Sequence, residues 1–252
     1  SRYKKNNQIV KIDVHSKIYE LKIPLIGHFQ LKNLFIAVLA ALESGLNLNK
    51  IFKQINKIKP VTGRLECVSS LRNNSYIIVD FAHTPEALKQ SLSALKKQFK
   101  KEIIVVFGCG GERDKKKRIV MGKIASKYCR KIFVTDDNPR NENPQKIRRS
   151  IIKGCNKSAV DIGSRKKAIK AAINELKSNE ILLVAGKGHE ETQDYGKRII
   201  KFSDKKLIKK IVKNKNFSFK ENNYQNFLLK KVFNNQKIKK INYSGVSINT
   251  KT

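Results

Sequence analysis

From residue 76 onward the apolar positions come in short unbroken runs, at 76–80, 103–107, 131–135 and 181–185. Each run leads into a polar loop carrying glycine or proline, and then into a segment of helical period. Apolar runs without alternation are what strands covered on both faces look like. The segments between and after them, about 86–99, 117–129, 144–154, 165–177 and 204–213, are long enough to be the covering helices. A weaker run at 159–162 adds a further strand. The pattern predicts an α/β fold, a doubly wound, Rossmann-like and mostly parallel sheet.

The first third of the chain has another rhythm. Residues 8–24 alternate as a hairpin around His15-Ser16-Lys17, and 31–42 is a strongly apolar helix that stops at Gly45. A second helix is expected over 49–58, capped by Asn49, and Pro60 to Arg64 reads as a linker. Beyond residue 213 the chain is rich in Lys and Asn and shows no period.

Composition narrows the function classes. Hydrophobic residues are 40% of the 252, enough for a core, and no apolar run reaches the eighteen residues of a membrane span. The net charge of +35 invites a nucleic-acid reading, but the 55 Lys and Arg are spread along the whole chain. A Lys/Asn/Ile bias of codon usage produces the same spread. No RNP, KH, zinc-finger or helix-turn-helix signature accompanies it. A positive field would still attract anionic substrates such as nucleotides. Cys67, Cys109, Cys129 and Cys155 are scattered, with neither metal-ligand nor disulfide spacing, so a reducing cytoplasm is the expected compartment. The chain opens on Ser1 and its single methionine is Met121, so a piece of a longer polypeptide is expected.

The chemistry sits in the loops. Polar loops at the carboxyl ends of several parallel strands are how an open sheet builds one crevice. Asp137-Asn138-Pro139-Arg140 offers acceptors, donors, a fixed turn and a planar fork for a carboxylate or phosphate; its plain reading is a turn and cap before the next helix. Gly108, Gly110 and Gly111 let backbone approach a ligand beside Arg113, or simply make a tight turn. The run Lys115 to Arg118 reads as a solvated helix face. Gly186-Lys187-Gly188-His189-Glu190 is not a Walker loop, a motif found nowhere in the chain. His83 is a candidate catalytic or phosphate-positioning group, against a structural role at a helix start. Two guanidinium groups together with Glu190 suit a zwitterion, with forks for carboxylate and an acid for ammonium.

Taken in order, Gly63-Arg64-Leu65-Glu66, Asp80-Phe81-Ala82-His83-Thr84-Pro85, Phe107 to Asp114, Asp136 to Arg140 and Gly186 to Glu190 resemble the Mur ligase family, over about residues 8–212. The resemblance implies ATP-dependent amide formation in peptidoglycan synthesis, with a carboxylate activated as an acyl phosphate and attacked by an amine. It implies domains at 1–62 (the end of an α/β ATPase domain), 63–213 (the amino-acid-binding domain) and 214–252. The last resembles a linker and the start of a second Mur ligase, through Gly245-Val246-Ser247-Ile248-Asn249. Arg113, Asp137, Asn138, Pro139, Arg140, Gly186 and Glu190 match positions that hold diaminopimelate, and Asn33, Arg64 and Asp80 match positions near ATP. The family's P-loop, magnesium ligands and UDP-binding domain have no counterpart here. ATP, Mg2+, diaminopimelate, a UDP-muramoyl-dipeptide and upstream ATPase and UDP-binding domains are the implied cofactors and partners. Gln30, Phe81 and Glu112 depart mildly from the family pattern. A stand-alone amino-acid or nucleotide binding module and a basic nucleic-acid-binding protein are the alternatives.

Overall fold

The computed structural model describes residues 2–4, 7–14, 17–55, 57–71, 74–156 and 158–213. The expected linker and second-ligase start at 214–252, and the hairpin turn at His15 and Ser16, lie outside them. The chain falls into two units, Ser1–Ile211 and Val212–Thr252. The described strands all belong to the first.

The N-terminal part is an antiparallel sheet of β1 (Arg2–Lys4), β2 (Asn7–Val14) and β3 (Lys17–Ile23), followed by helices α1 (His28–Glu43) and α2 (Leu48–Ile55). α1 begins three residues earlier than its apolar pattern suggests. α2 is capped by Asn47, whose Oδ1 accepts from Asn49 N at 2.9 Å, so Asn49 is not its cap. α2 also stops at Ile55, because the next amides turn tightly: Lys57 N donates to Gln54 O and Ile58 N to Ile55 O. Leu21, Ile23, Leu31, Val38, Phe52 and Ile55 make a small core between this sheet and its helices.

The main sheet has the order β4-β5-β9-β6-β7-β8. Its strands are β4 (Glu66–Ser70), β5 (Tyr76–Asp80), β6 (Glu102–Phe107), β7 (Lys131–Val134), β8 (Ala159–Asp161) and β9 (Glu180–Ala185). All pairings are parallel except that of the edge strand β4 with β5, which is antiparallel and bulged. The helices are α3 (Pro85–Phe99), α4 (Lys117–Tyr128), α5 (Pro144–Ile152) and α6 (Arg165–Glu175), and a last helix covers 204–213. Side-chain caps set three helix starts: Thr84 for α3, Asn143 for α5 and Ser164 for α6, the first two with proline in the opening turn. Ile103, Val105 and Phe107 of β6 share a core with Leu88, Leu92, Met121, Ile147 and Ile151 of α3, α4 and α5. Ile104 and Val106 alternate to the other face, where α6 packs. The sheet is therefore wound on both faces.

Two three-residue strands, β10 (Thr192–Asp194) and β11 (Ile199–Lys201), form a hairpin that the sequence pattern does not announce. The stretch expected as a linker is anchored: Gly63 is buried, and a Cβ there would run into the backbone of Gly188 and His189. Among the described residues no helix is long and apolar enough to cross a membrane.

Candidate functional site

The loops after β6, β7 and β9 meet at the carboxyl edge of the sheet. Glycine makes this possible: a Cβ at Gly108 would run into Thr135 O, and one at Gly111 into Pro139 O. Gly111 N donates to Asn138 O at 2.9 Å, so the glycine loop lies directly on the Asp-Asn-Pro-Arg turn.

Each member of that turn has a defined place. Asp137 is buried with Oδ2 pressed against Gly186, where a Cβ would lie 2.5 Å from it. That oxygen has no hydrogen-bond partner. Arg165 Nη1, 3.8 Å away and fully buried, has none either. The rest of the Arg165 fork is held by Asp204, at 2.8 Å through both Nε and Nη2, and by Ala185 O at 2.9 Å. Asn138 Nδ2 donates to Glu190 Oε2 at 3.0 Å, while Asn138 Oδ1 accepts from Lys187 Nζ and from Asp194 N. Pro139 is buried and Arg140 takes a left-handed φ of 52°. Arg140 Nη1 donates to Gly111 O at 2.8 Å, and Nε lies 3.9 Å from the Asp194 carboxylate. Arg113 is exposed on the neighbouring loop, beside Gly110.

Burial works to raise the Glu190 carboxyl, but the hydrogen bonds from Lys187 and Asn138 outweigh it and hold the acid below its ordinary range. Asp136 is the opposite case. Burial raises it, against the Arg148 ion pair and the Tyr195 hydroxyl, which donates to its Oδ2 at 3.1 Å. Arg148 also binds Asp161, so the turn is clamped from below. These are scaffolding groups.

The residues expected near a nucleotide are not all together. Asp80 is buried, its Oδ1 accepting from Leu65 N at 3.0 Å and its Oδ2 from the Ser91 hydroxyl at 2.5 Å. It therefore fixes the backbone next to Arg64. The Arg64 guanidinium lies 4.4 Å over the Phe81 ring, which contacts His83 and His189 at 4.7 and 5.4 Å. Asn33 sits on the exposed side of α1, apart from them among the described contacts. His83 is exposed. Its Nδ1–H donates to Phe81 O at 2.9 Å.

Sequence reasoning missed several residues. Arg118 is not on a solvated face: it is 2% exposed and forks onto Glu142 at 2.6 and 2.7 Å. Lys187 and Arg165 are fully buried. Among so many basic side chains nothing in composition marks these three. The signal available for Lys187 was its place between two glycines at a strand end.

An open parallel sheet with acid, amide and guanidinium groups gathered beyond its carboxyl edge defines an α/β ligand-binding domain of the doubly wound class. Within that class the chain belongs to the Mur ligase family: the Mur ligase, glutamate ligase domain matches residues 63–188. The chain is 44% identical over 209 residues to the UDP-N-acetylmuramoyl-L-alanyl-D-glutamate–2,6-diaminopimelate ligase of Rickettsia montanensis, covering 82% of this chain and 43% of that one. It is 40% identical over 206 residues to the ligase of the same name from Rhizobium meliloti (strain 1021), covering 82% and 42%. A solved structure of a ligase of that name superposes with a TM-score of 0.66 at 30% identity, over 85% of this chain and 44% of that chain. The chain thus spans less than half the length of these relatives.

Proposed function

We propose that this chain is the amino-acid-holding part of an ATP-dependent ligase that adds meso-2,6-diaminopimelate to UDP-N-acetylmuramoyl-L-alanyl-D-glutamate in peptidoglycan synthesis. In this reading residues 1–62 are the end of the ATPase domain and 63–213 the domain that brings the amino acid. The observation that carries it is the way the Asp137-to-Arg140 turn joins the two neighbouring loops: Asp137 lies against Gly186, Asn138 binds Glu190, and Arg140 binds Gly111 O. An acid and an amide suit the ammonium end of an amino acid, and the Arg140 and Arg113 guanidinium groups suit carboxylates. Diaminopimelate carries one carboxylate more than lysine, which gives the second guanidinium a purpose.

Holding the amine in line is this chain's contribution to rate, since orientation alone removes much of a bimolecular barrier. ATP supplies the phosphoryl group that activates the acceptor carboxylate. Arg64 fits a nucleotide phosphate: it is exposed, stacked on Phe81, and held in place through Asp80 and Leu65. Asp80 serves there by position, and we assign magnesium no residue of this chain. The His83 ring lies against Phe81 in the same stack. The test is ADP formation by the ligase that carries this chain, given ATP and the UDP-muramoyl-dipeptide. Diaminopimelate should support it and lysine should not. Equal rates with both amino acids, or no rate with either, would overturn the reading.

A further inference from the structure

We propose that Lys187 is the positioning residue of the amino-acid site: its buried side-chain nitrogen sets which atoms of Asn138 and Glu190 face the ligand. The inference rests on the amino-acid reading above. Lys187 is 0% exposed, so it touches no ligand itself. Its Nζ donates to Asn138 Oδ1 at 2.9 Å and to Glu190 Oε2 at 2.8 Å. A single cation thus bridges these two oxygens from behind.

The consequence for each partner is definite. Asn138 Oδ1 receives two donors, Lys187 Nζ and Asp194 N, the latter at 3.0 Å, so the amide cannot present its oxygen to a ligand. Its Nδ2 is thereby turned to Glu190 Oε2 and keeps one hydrogen to give. Glu190 Oε2 likewise receives two donors, which leaves Oε1 for a ligand ammonium on a side chain that is 32% exposed. Remove Lys187 and Asn138 is held only by Asp194 N and Glu190 Oε2, while Glu190 loses its one charged donor and keeps only the Asn138 amide. The carboxylate would then be freer to swing outward, and the amide that leans on it would lose its fixed position. Charge adds to geometry: Asp137 and Glu190 bring two carboxylates into one site that must also accept a ligand carrying carboxylates. Lys187 and Arg165 are the buried cations set behind them.

The test uses the full-length ligase and reads two Michaelis constants. In K187M the KM for diaminopimelate should rise on the order of tenfold or more while the KM for ATP stays within about twofold. K187Q keeps a shorter donor and should fall between K187M and wild type. An unchanged diaminopimelate KM in K187M, beside a wild type that uses diaminopimelate, would overturn this inference alone. Parallel rises in both constants would show a merely structural lysine and overturn it as well. Should K187M fail to fold, K187Q decides by the same two constants. A wild type indifferent to diaminopimelate would overturn the amino-acid reading, and this inference with it.

Discussion

At the scale of single residues, the site is decided by what is absent at Gly186 and by what is left over on Arg140. Gly186 has φ 111°, which side chains rarely adopt, and its missing Cβ is the space in which Asp137 Oδ2 sits at 2.5 Å. Gly186→Ala must therefore strain the backbone and displace Asp137 together. It should cost about 1–3 kcal/mol in denaturant unfolding, and the diaminopimelate KM should rise with it. A variant as stable as wild type would mean that the loop relaxes freely. Arg140 spends Nη1 on Gly111 O and keeps Nη2. Arg140→Ala should weaken diaminopimelate use by about 2–5 kcal/mol of apparent binding and leave the KM for ATP in place. Equal damage to both constants would reassign Arg140 to holding the loop.

Among the elements, α4 and the turn ahead of α5 are joined by the Arg118–Glu142 fork, and Glu142 also accepts from Glu112 N at 3.3 Å. This ties the first turn of α4 to the glycine loop over the site. The Arg118 hydrogen bonds hold the Glu142 carboxyl below its ordinary value of 4.5. A lowered folded value means that the contribution is complete above 4.5 and is lost as the pH falls through the lowered value. Glu142→Gln leaves Arg118 buried with no counter-charge, a loss of about 3–5 kcal/mol at neutral pH. Its melting temperature should also fall less steeply than that of wild type on acidification, and parallel acid limbs would disprove the link. Such pairs explain what the sequence hid. The parallel strands and their helices were legible because burial on both faces forces uninterrupted apolar runs such as Ile103 to Phe107. β4, reading Glu-Cys-Val-Ser-Ser, is a half-covered edge and carries no such run. β10 and β11 have three residues each, too few for a period. The loops of the site were legible as motifs. Arg118 and Arg165 were not, because a buried basic residue is recognisable only once its acid has been brought to it, from 24 residues away for Arg118 and 39 for Arg165.

For the molecule as a whole, the N-terminal core and the main core meet within one peptide. Leu25 belongs to the first and Ile26 to the second. Beside that crossing, Gly27 N donates to Gln98 Oε1 at 2.8 Å, in a buried contact between α1's start and α3. Gln98→Leu would strand the Gly27 amide, a cost of about 1–3 kcal/mol. Amide exchange should quicken in β2 and β3 more than in β6 and β9. Uniform quickening would show that the two cores melt as one. The strand order carries a consequence of another kind. β9 lies between β5 and β6, yet it begins at Glu180, about a hundred residues after β5 ends at Asp80. During synthesis β5 and β6 leave the ribosome with facing, unpaired edges. At ~5–20 residues per second they wait several seconds or more for the strand that will separate them. Until then they can pair wrongly with each other or with a neighbouring chain. The period of greatest aggregation risk thus lasts until β9 has cleared the ribosome, and a nascent chain stalled before residue 180 should depend on chaperones far more than one stalled long enough after 185 for β9 to emerge.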